Sequence, residues 1–249
     1  MASETVITGD TTGHWTGHLV LAPARTLAFD HPVEHAPTVD ENGTLYFTDR
    51  GGVVSARAGA DGSVRWRFST DDLSGFLSVP LHRGTNLYVA SLDGELRALD
   101  RNTGKVSWSL PDKPTEVAPA LIDKYLLVAT TDARLHCVDI DDRAILRADL
   151  PEPARGEVLV EGSTVVCIGE RGSVSAFRLP TMAPAMERTL GDIPGVWAAL
   201  ESDRVVTSDD RGRVRCLEVT SGDLVWSVDL DAETLGRPLI TGGHVLVVS

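Results

Sequence analysis

The sequence predicts an all-β protein, a β-propeller of six four-stranded blades. Three observations carry that prediction. A phrase of about 40 residues recurs along the chain, each copy alternates short apolar runs with glycine turns, and scarcely any stretch reads as helix. The plainest copy runs from Asn86 to Trp108.

The first residues of the second strand in successive copies are Thr44, Asn86, Tyr125, Thr164, Arg204 and His244, separated by 42, 39, 39, 40 and 40 residues. Each opens a run such as Leu87-Tyr88-Val89 or Leu126-Leu127-Val128, rich in the residues that suit a pleated sheet. A tight connection follows in most copies, at Gly52, Gly94, Gly172 and Gly212, so the chain doubles back antiparallel. The third strand is marked by a small residue, Ala56, Ala98, Cys137, Ala176 or Cys216. Ten places later stand Trp66, Trp108, Arg147, Met186 and Trp226. In the tryptophan copies a second turn intervenes, at Asp61-Gly62, Thr103-Gly104 and Ser221-Gly222. An indole in the outer strand has the bulk to close the gap between neighbouring blades, which assigns these tryptophans to the core.

The stretch Ala98-Leu-Asp100-Arg-Asn-Thr103-Gly104-Lys-Val-Ser-Trp108 resembles the repeat of the pyrroloquinoline-quinone-type (PQQ-like) propeller family, Ala-x-Asp-x-x-Thr-Gly-x-x-x-Trp. The match is complete in that copy. Cys216 to Trp226 keeps the glycine and tryptophan with Glu218 at the Asp place, and Ala56 to Trp66 keeps Ala, Gly and Trp. The copies ending at Arg147 and Met186 have lost both glycine and tryptophan. The resemblance covers about residues 32 to 249 and speaks to fold more than to activity. The family's quinoprotein dehydrogenases are longer, exported and calcium-dependent, so the quinone is not carried over and no cofactor or metal is expected.

Five full copies leave the ends to be placed. Leu235 to Ser249 reads as a first and second strand, and Gly13–Ala22 with Thr26–Phe29 reads as two more. Joined, they would close a sixth blade from both termini and pair otherwise exposed edges. A rival phasing takes Thr5–Gly9 as a further second strand, giving seven blades or a fragment of a larger ring. Either way a single propeller domain over residues 1–249 is expected, with no second domain left over.

With 23 Lys and Arg against 36 Asp and Glu, the formal charge is −13. That is opposite to the electrostatic footprint of a nucleic-acid binder, so nucleic acid is not an expected partner. The start Met1-Ala-Ser-Glu-Thr5 lacks a basic region followed by an apolar one, and no apolar run approaches membrane-spanning length. Cys137, Cys167 and Cys216 form no Cys-x-x-Cys pair and sit within strands, which fits a reducing compartment. The expectation is a cytoplasmic protein with no membrane partner.

In a propeller the first strand of each blade lines the central channel, and the residues entering it form a mouth. Aligning the copies on Pro37, Pro80, Pro119 and Pro238 puts Glu34, His35, Ser78, Glu116, Arg155, Glu157, Trp197 and Arg237 at that level. Arginines, carboxylates, an imidazole and an indole from separate blades could hold a small polar or anionic group, the arginines supplying planar forks. The connecting loops at the same face add an acidic rim of Asp30, Asp71, Asp72, Asp112, Glu152, Asp192, Asp231 and Glu233. The histidine pairs His14/His18 and His31/His35 are about 13 Å apart in strands, too far for one metal ion.

Two functional readings follow. The first is a propeller that binds a small-molecule ligand or a protein partner at the channel mouth, with no bond made or broken. The second is a cofactor-independent enzyme, such as a cyclase, isomerase, lyase or hydrolase. It would use His35 with Glu116 or Glu157 as acid and base, since imidazole titrates near neutral pH and a carboxylate can orient it. No nucleophile elbow, phosphate loop or dinucleotide fingerprint appears in a strand-to-helix setting. A weaker third idea makes the chain a piece of a longer protein, such as a membrane kinase with a sensory propeller.

Overall fold

A computed structural model describes residues 27–70, 74–76, 78–111, 115, 117–191, 197–234 and 236–248. Residues 1–30 and 31–249 form two compact units, and every strand described belongs to the second. It is the expected all-β propeller, and the six second strands begin at the six residues that the repeat spacing picked out.

Sheet 1 comprises β1 (Thr38–Val39), β2 (Thr44–Thr48), β3 (Val53–Ala58) and β4 (Val64–Ser69). Sheet 2 comprises β5 (Leu81–Arg83), β6 (Asn86–Ala90), β7 (Leu96–Asp100) and β8 (Val106–Leu110). Sheet 3 holds β9 (Ala120–Ile122), β10 (Tyr125–Thr130), β11 (Arg134–Asp139) and β12 (Ile145–Asp149). Sheet 4 holds β13 (Ala154–Glu161), β14 (Thr164–Gly169), β15 (Ser173–Arg178) and β16 (Ala183–Thr189). Sheet 5 holds β17 (Trp197–Glu201), β18 (Arg204–Ser208), β19 (Arg213–Glu218) and β20 (Leu224–Asp229). All five are antiparallel meanders, the topology that tight turns between consecutive strands impose.

The sixth sheet has two strands among the described residues, β21 (Leu239–Thr241) and β22 (His244–Leu246), rather than the four expected of a full blade. The segments expected to complete it, Gly13–Ala22 and Thr26, and the rival strand Thr5–Gly9 lie outside the described residues. Leu27–Phe29 is irregular. Among the described residues no helix is long and apolar enough to cross a membrane.

Strand alternation explains the core. On β6, Leu87 and Val89 face sheet 1 and pack with Tyr46, Val54, Ala56 and Trp66, while Tyr88 and Ala90 face sheet 3 and pack with Leu126, Val128 and Val138. Leu127 and Ala129 of β10 then turn to Val158, Val165 and Cys167 of sheet 4. Successive side chains point to opposite faces, so a strand sandwiched between two sheets must be apolar at every position. Four apolar clusters join sheets 1 to 5 in this way, and a fifth sets Val206, Val214 and Cys216 of sheet 5 against Ile240 and Val245 of sheet 6.

The small third-strand residue has a steric cause. Ala56 lies opposite Trp66, Ala98 opposite Trp108 and Cys216 opposite Trp226, so a short side chain leaves room for the indole across the ladder. One residue later each of these ladders shifts register, and so does sheet 4 after Ala176. Such a bulge bends and twists the outer strand. Sheet 3 has no bulge there: Cys137 faces Leu146, and Arg147 pairs with His136 instead. The ten-residue count that equates Arg147 with the tryptophans is therefore off by one in space.

The Thr103-Gly104 turn shows how the seam between sheets 1 and 2 closes. A side chain at Gly104 would sit 2.5 Å from Cε3 of Trp66, and Gly104 has φ of +71°. Trp66 Nε1 donates to the Arg101 carbonyl of the same turn at 2.8 Å. Glycine is needed twice here, for the left-handed backbone and for the close approach of the ring. Gly222 repeats the arrangement more loosely, its absent Cβ falling 3.3 Å from Cγ of Met186.

The three cysteines are buried and free. Burial pushes the Cys137 thiol up to about 11 and the Cys167 thiol up to about 12, so both act as small apolar residues.

Candidate functional site

Prolines open the first strands of sheets 1, 2, 3 and 6, where Pro37, Pro80, Pro119 and Pro238 immediately precede β1, β5, β9 and β21. Lacking an N–H, proline suits the end of a ladder. At the equivalent places of the repeat, sheets 4 and 5 carry Val158 and Ala198, and in sheet 4 the proline before the strand, Pro153, stands five residues earlier. Their first strands are longer, eight residues in β13 and five in β17, against two or three in the others. Arg155 and Glu157 ride on β13, and Trp197 opens β17.

These residues meet. A cavity of about 60 Å³ is lined by Arg155, Gly156, Glu157, Leu159, Ile168, Trp197, Ala198 and Arg237. Glu157, Trp197 and Arg237 are spaced 40 residues apart, and a register shift between Arg155 and Leu159 sets Arg155 opposite Ile168 as Trp197 is opposite Ser208. Arg237 enters from the loop before β21, which is tied to sheet 5 by Ser208 Oγ donating to the Gly236 carbonyl at 3.0 Å. Its Nη1 donates to the Glu157 carboxylate in an ion pair across the mouth. Both side chains are about half exposed, 52% and 44%, so water screens the pair and it adds little to stability. Arg155 is exposed and has no ion pair among the described residues.

The base of the cavity is apolar. Leu159 and Ile168 are buried in the core between sheets 4 and 5, and Ala198 completes it. Sequence reasoning missed these floor residues because they look like any other core position in β13, β14 and β17.

The remaining predicted residues go elsewhere. Glu34 Oε2 accepts from Nε of Arg50 at 2.6 Å, which takes it away from the mouth cluster. His35 is half-buried, and its Nε2 lacks a hydrogen-bond partner, but it does not line the cavity. Ser78 is buried and serves structure, its carbonyl accepting from Thr48 Oγ1 at 2.8 Å. Glu116 lies outside the described residues. His35 and Glu157 are thus not brought together by the cavity, and Glu157 is already engaged by Arg237. Of the acidic rim, Asp71, Asp72, Asp112 and Asp192 lie outside the described residues. Glu152 caps a hairpin, accepting from the N–H of Arg171 at 3.0 Å and of Ser173 at 2.9 Å.

Comparison with known proteins fixes the family. The family described as outer membrane protein assembly factor BamB matches residues 12–122 and 181–249, more than half of the chain. The chain belongs to that BamB family. The repeat expected from Ala98 to Trp108 is accordingly of the PQQ type. The chain is 23% identical to the outer membrane protein assembly factor BamB of Yersinia pestis over 236 residues, covering 82% of this chain. It spans only 58% of that relative's length. The crystal structure of BamB from Moraxella catarrhalis superposes with a TM-score of 0.57 at 14% identity, over 99% of this chain and 91% of that one. The computationally designed Ika8 protein superposes with a TM-score of 0.69 at 15% identity, over 85% of this chain and 66% of that one. At such identities the two structures speak to the fold, which they share.

The quinone after which the repeat is named does not fit this mouth. Pockets that enclose a drug-sized ligand run to roughly 300–1,000 Å³. The cavity beside Trp197 is about 60 Å³. A three-ring cofactor would have to displace the floor residues, which are core.

Proposed function

We propose that this chain is a binding propeller that holds a protein partner at the mouth formed by Arg155, Glu157, Trp197 and Arg237, without a quinone cofactor. The single observation behind this reading is the convergence of those four side chains from three successive sheets on one small apolar-floored cavity. A recess of about 60 Å³ suits the tip of a side chain from a partner surface better than an enclosed metabolite. Tryptophan and arginine are the residues on which interface energy concentrates. The family's name, an assembly factor, supports a protein partner over a small ligand. Residence in the cytoplasm belongs to the same proposal, supported by three unpaired cysteines. So does a single propeller domain over residues 1–249, which the repeat spacing supports from Thr44 to His244.

The test is co-purification of tagged full-length chain from its own cells, followed by identification of what accompanies it. A partner recovered with the wild type is expected to be lost with Trp197→Ala and with Arg237→Ala, and retained with Lys105→Ala on an outer turn. A partner that survives both mouth substitutions overturns the reading, and cell fractionation checks the compartment.

A further inference from the structure

Resting on the reading of the mouth as a docking site, we propose that the group it accepts is a carboxylate on a short apolar stem, with Arg155 as its counter-charge. The charge count at the cavity carries this. Among the described residues two guanidinium groups and one carboxylate line it, and the carboxylate of Glu157 is taken by Arg237. Arg155 is left with no ion pair among the described residues, so one positive charge stands over at the rim. On a chain of formal charge −13, the described lining of this cavity is net positive.

The floor selects further. Leu159, Ile168 and Ala198, with the face of Trp197, offer no polar side chain to a deeply inserted head group. An incoming ammonium would meet Arg155 with like charge. A purely apolar group would strip water from the guanidinium and return nothing. A carboxylate pairs with the guanidinium as a fork, with two parallel N–H···O bonds, while its methylenes cover the indole. The small volume limits entry to one such side chain. Glu157 and Arg237 form an adjustable neighbour: the pair is half exposed, so Arg237 can leave Glu157 and join Arg155 on the incoming oxygens.

An Asp or Glu side chain and a chain-terminal carboxylate share this chemistry, and the experiment separates them. Labelled full-length protein is applied to arrays of random hexapeptides, one set with free carboxyl ends and one amidated. Enrichment of acidic side chains that persists on the amidated set assigns a side-chain carboxylate. Binding that disappears on amidation assigns the chain terminus, and either result supports the proposal. Arg155→Gln is expected to weaken the selected peptides about tenfold, the size of one charge-assisted hydrogen bond. Glu157→Gln is expected to strengthen them several-fold by releasing Arg237, and Arg237→Ala to weaken them by exposing Glu157.

Selected peptides without acidic preference, or a preference indifferent to Arg155→Gln, overturn the carboxylate inference and leave docking at the mouth standing. Peptides whose binding ignores Trp197→Ala, or the absence of any bound peptide, overturn both. The substituted arginines are exposed, so circular dichroism and thermal melting are expected to match the wild type and exclude misfolding as the cause.

Discussion

Replacing Gly104 by Ala probes the joint between sheets 1 and 2 directly. The new Cβ would stand 2.5 Å from Cε3 and 2.7 Å from Cδ2 of Trp66, a ring 8% exposed and held by its hydrogen bond to the Arg101 carbonyl. Two costs add. A left-handed backbone costs a non-glycine residue about 1–2 kcal/mol, and overpacking a core costs about 1–3 kcal/mol. Their sum, about 2–5 kcal/mol, lowers the melting temperature of a chain this size by very roughly 2–4 °C per kcal/mol. Gly84→Ala is the control. Gly84 has φ of +56° and nothing within 4 Å of its absent Cβ, so it bears the backbone cost alone. The assay is urea unfolding of both variants, alone and on a Trp66→Leu background. On that background the steric part is expected to vanish, which appears as a coupling energy of about 1–3 kcal/mol between the two sites. If Gly104→Ala costs no more than Gly84→Ala, then ring-on-glycine contact is not what closes this seam and the packing argument fails.

Asp209 is 1% exposed, its Oδ1 accepts from the N–H groups of Arg211 and Arg213, and its Oδ2 from the buried Arg215 at 3.0 Å. Asp209→Ala leaves a buried guanidinium unpaired, and unfolding curves are expected to show a loss of about 3–5 kcal/mol. Asp203 gives an acid dependence. Burial pushes its carboxyl up, but hydrogen bonds from Thr220 and Arg178 outweigh it and hold the group below its ordinary 3.8. A lowered folded-state value means stability that is present above 3.8 and lost as pH falls through the folded value. Melting temperatures at pH 7 and pH 3 are therefore expected to differ less for Asp203→Asn than for the wild type; an equal difference would count against the pairing.

Much of the architecture was legible because one strand pattern had to be satisfied five times. A strand buried on both faces, such as β10, must be apolar throughout, and its start at Tyr125 is visible as the edge of that run. Sheet 3 was harder. Without a glycine turn or a bulge it keeps a regular ladder, so counting ten residues from Cys137 reaches Arg147 although Leu146 is the residue opposite. The mouth was half legible. Glu157, Trp197 and Arg237 share a period of 40, which places them near one another, and Val158 and Ala198 in place of the repeat's proline mark where first strands run on. Glu34 and Ser78 obeyed the same alignment but were captured by Arg50 and Thr48, contacts made between segments that the repeat spacing does not encode.

The meeting of Trp66 with Gly104 gives the ring a polarity. At this seam the outer strand of one blade carries a plug and the outer turn of the next in chain order a socket, and Met186 on Gly222 repeats the direction between sheets 4 and 5. Blades are therefore not interchangeable bricks. A blade put in place of sheet 2 keeps this contact with sheet 1 only if its outer turn offers a glycine to Trp66. Growth of such a ring by tandem copying preserves that directionality automatically, whereas shuffling single blades does not.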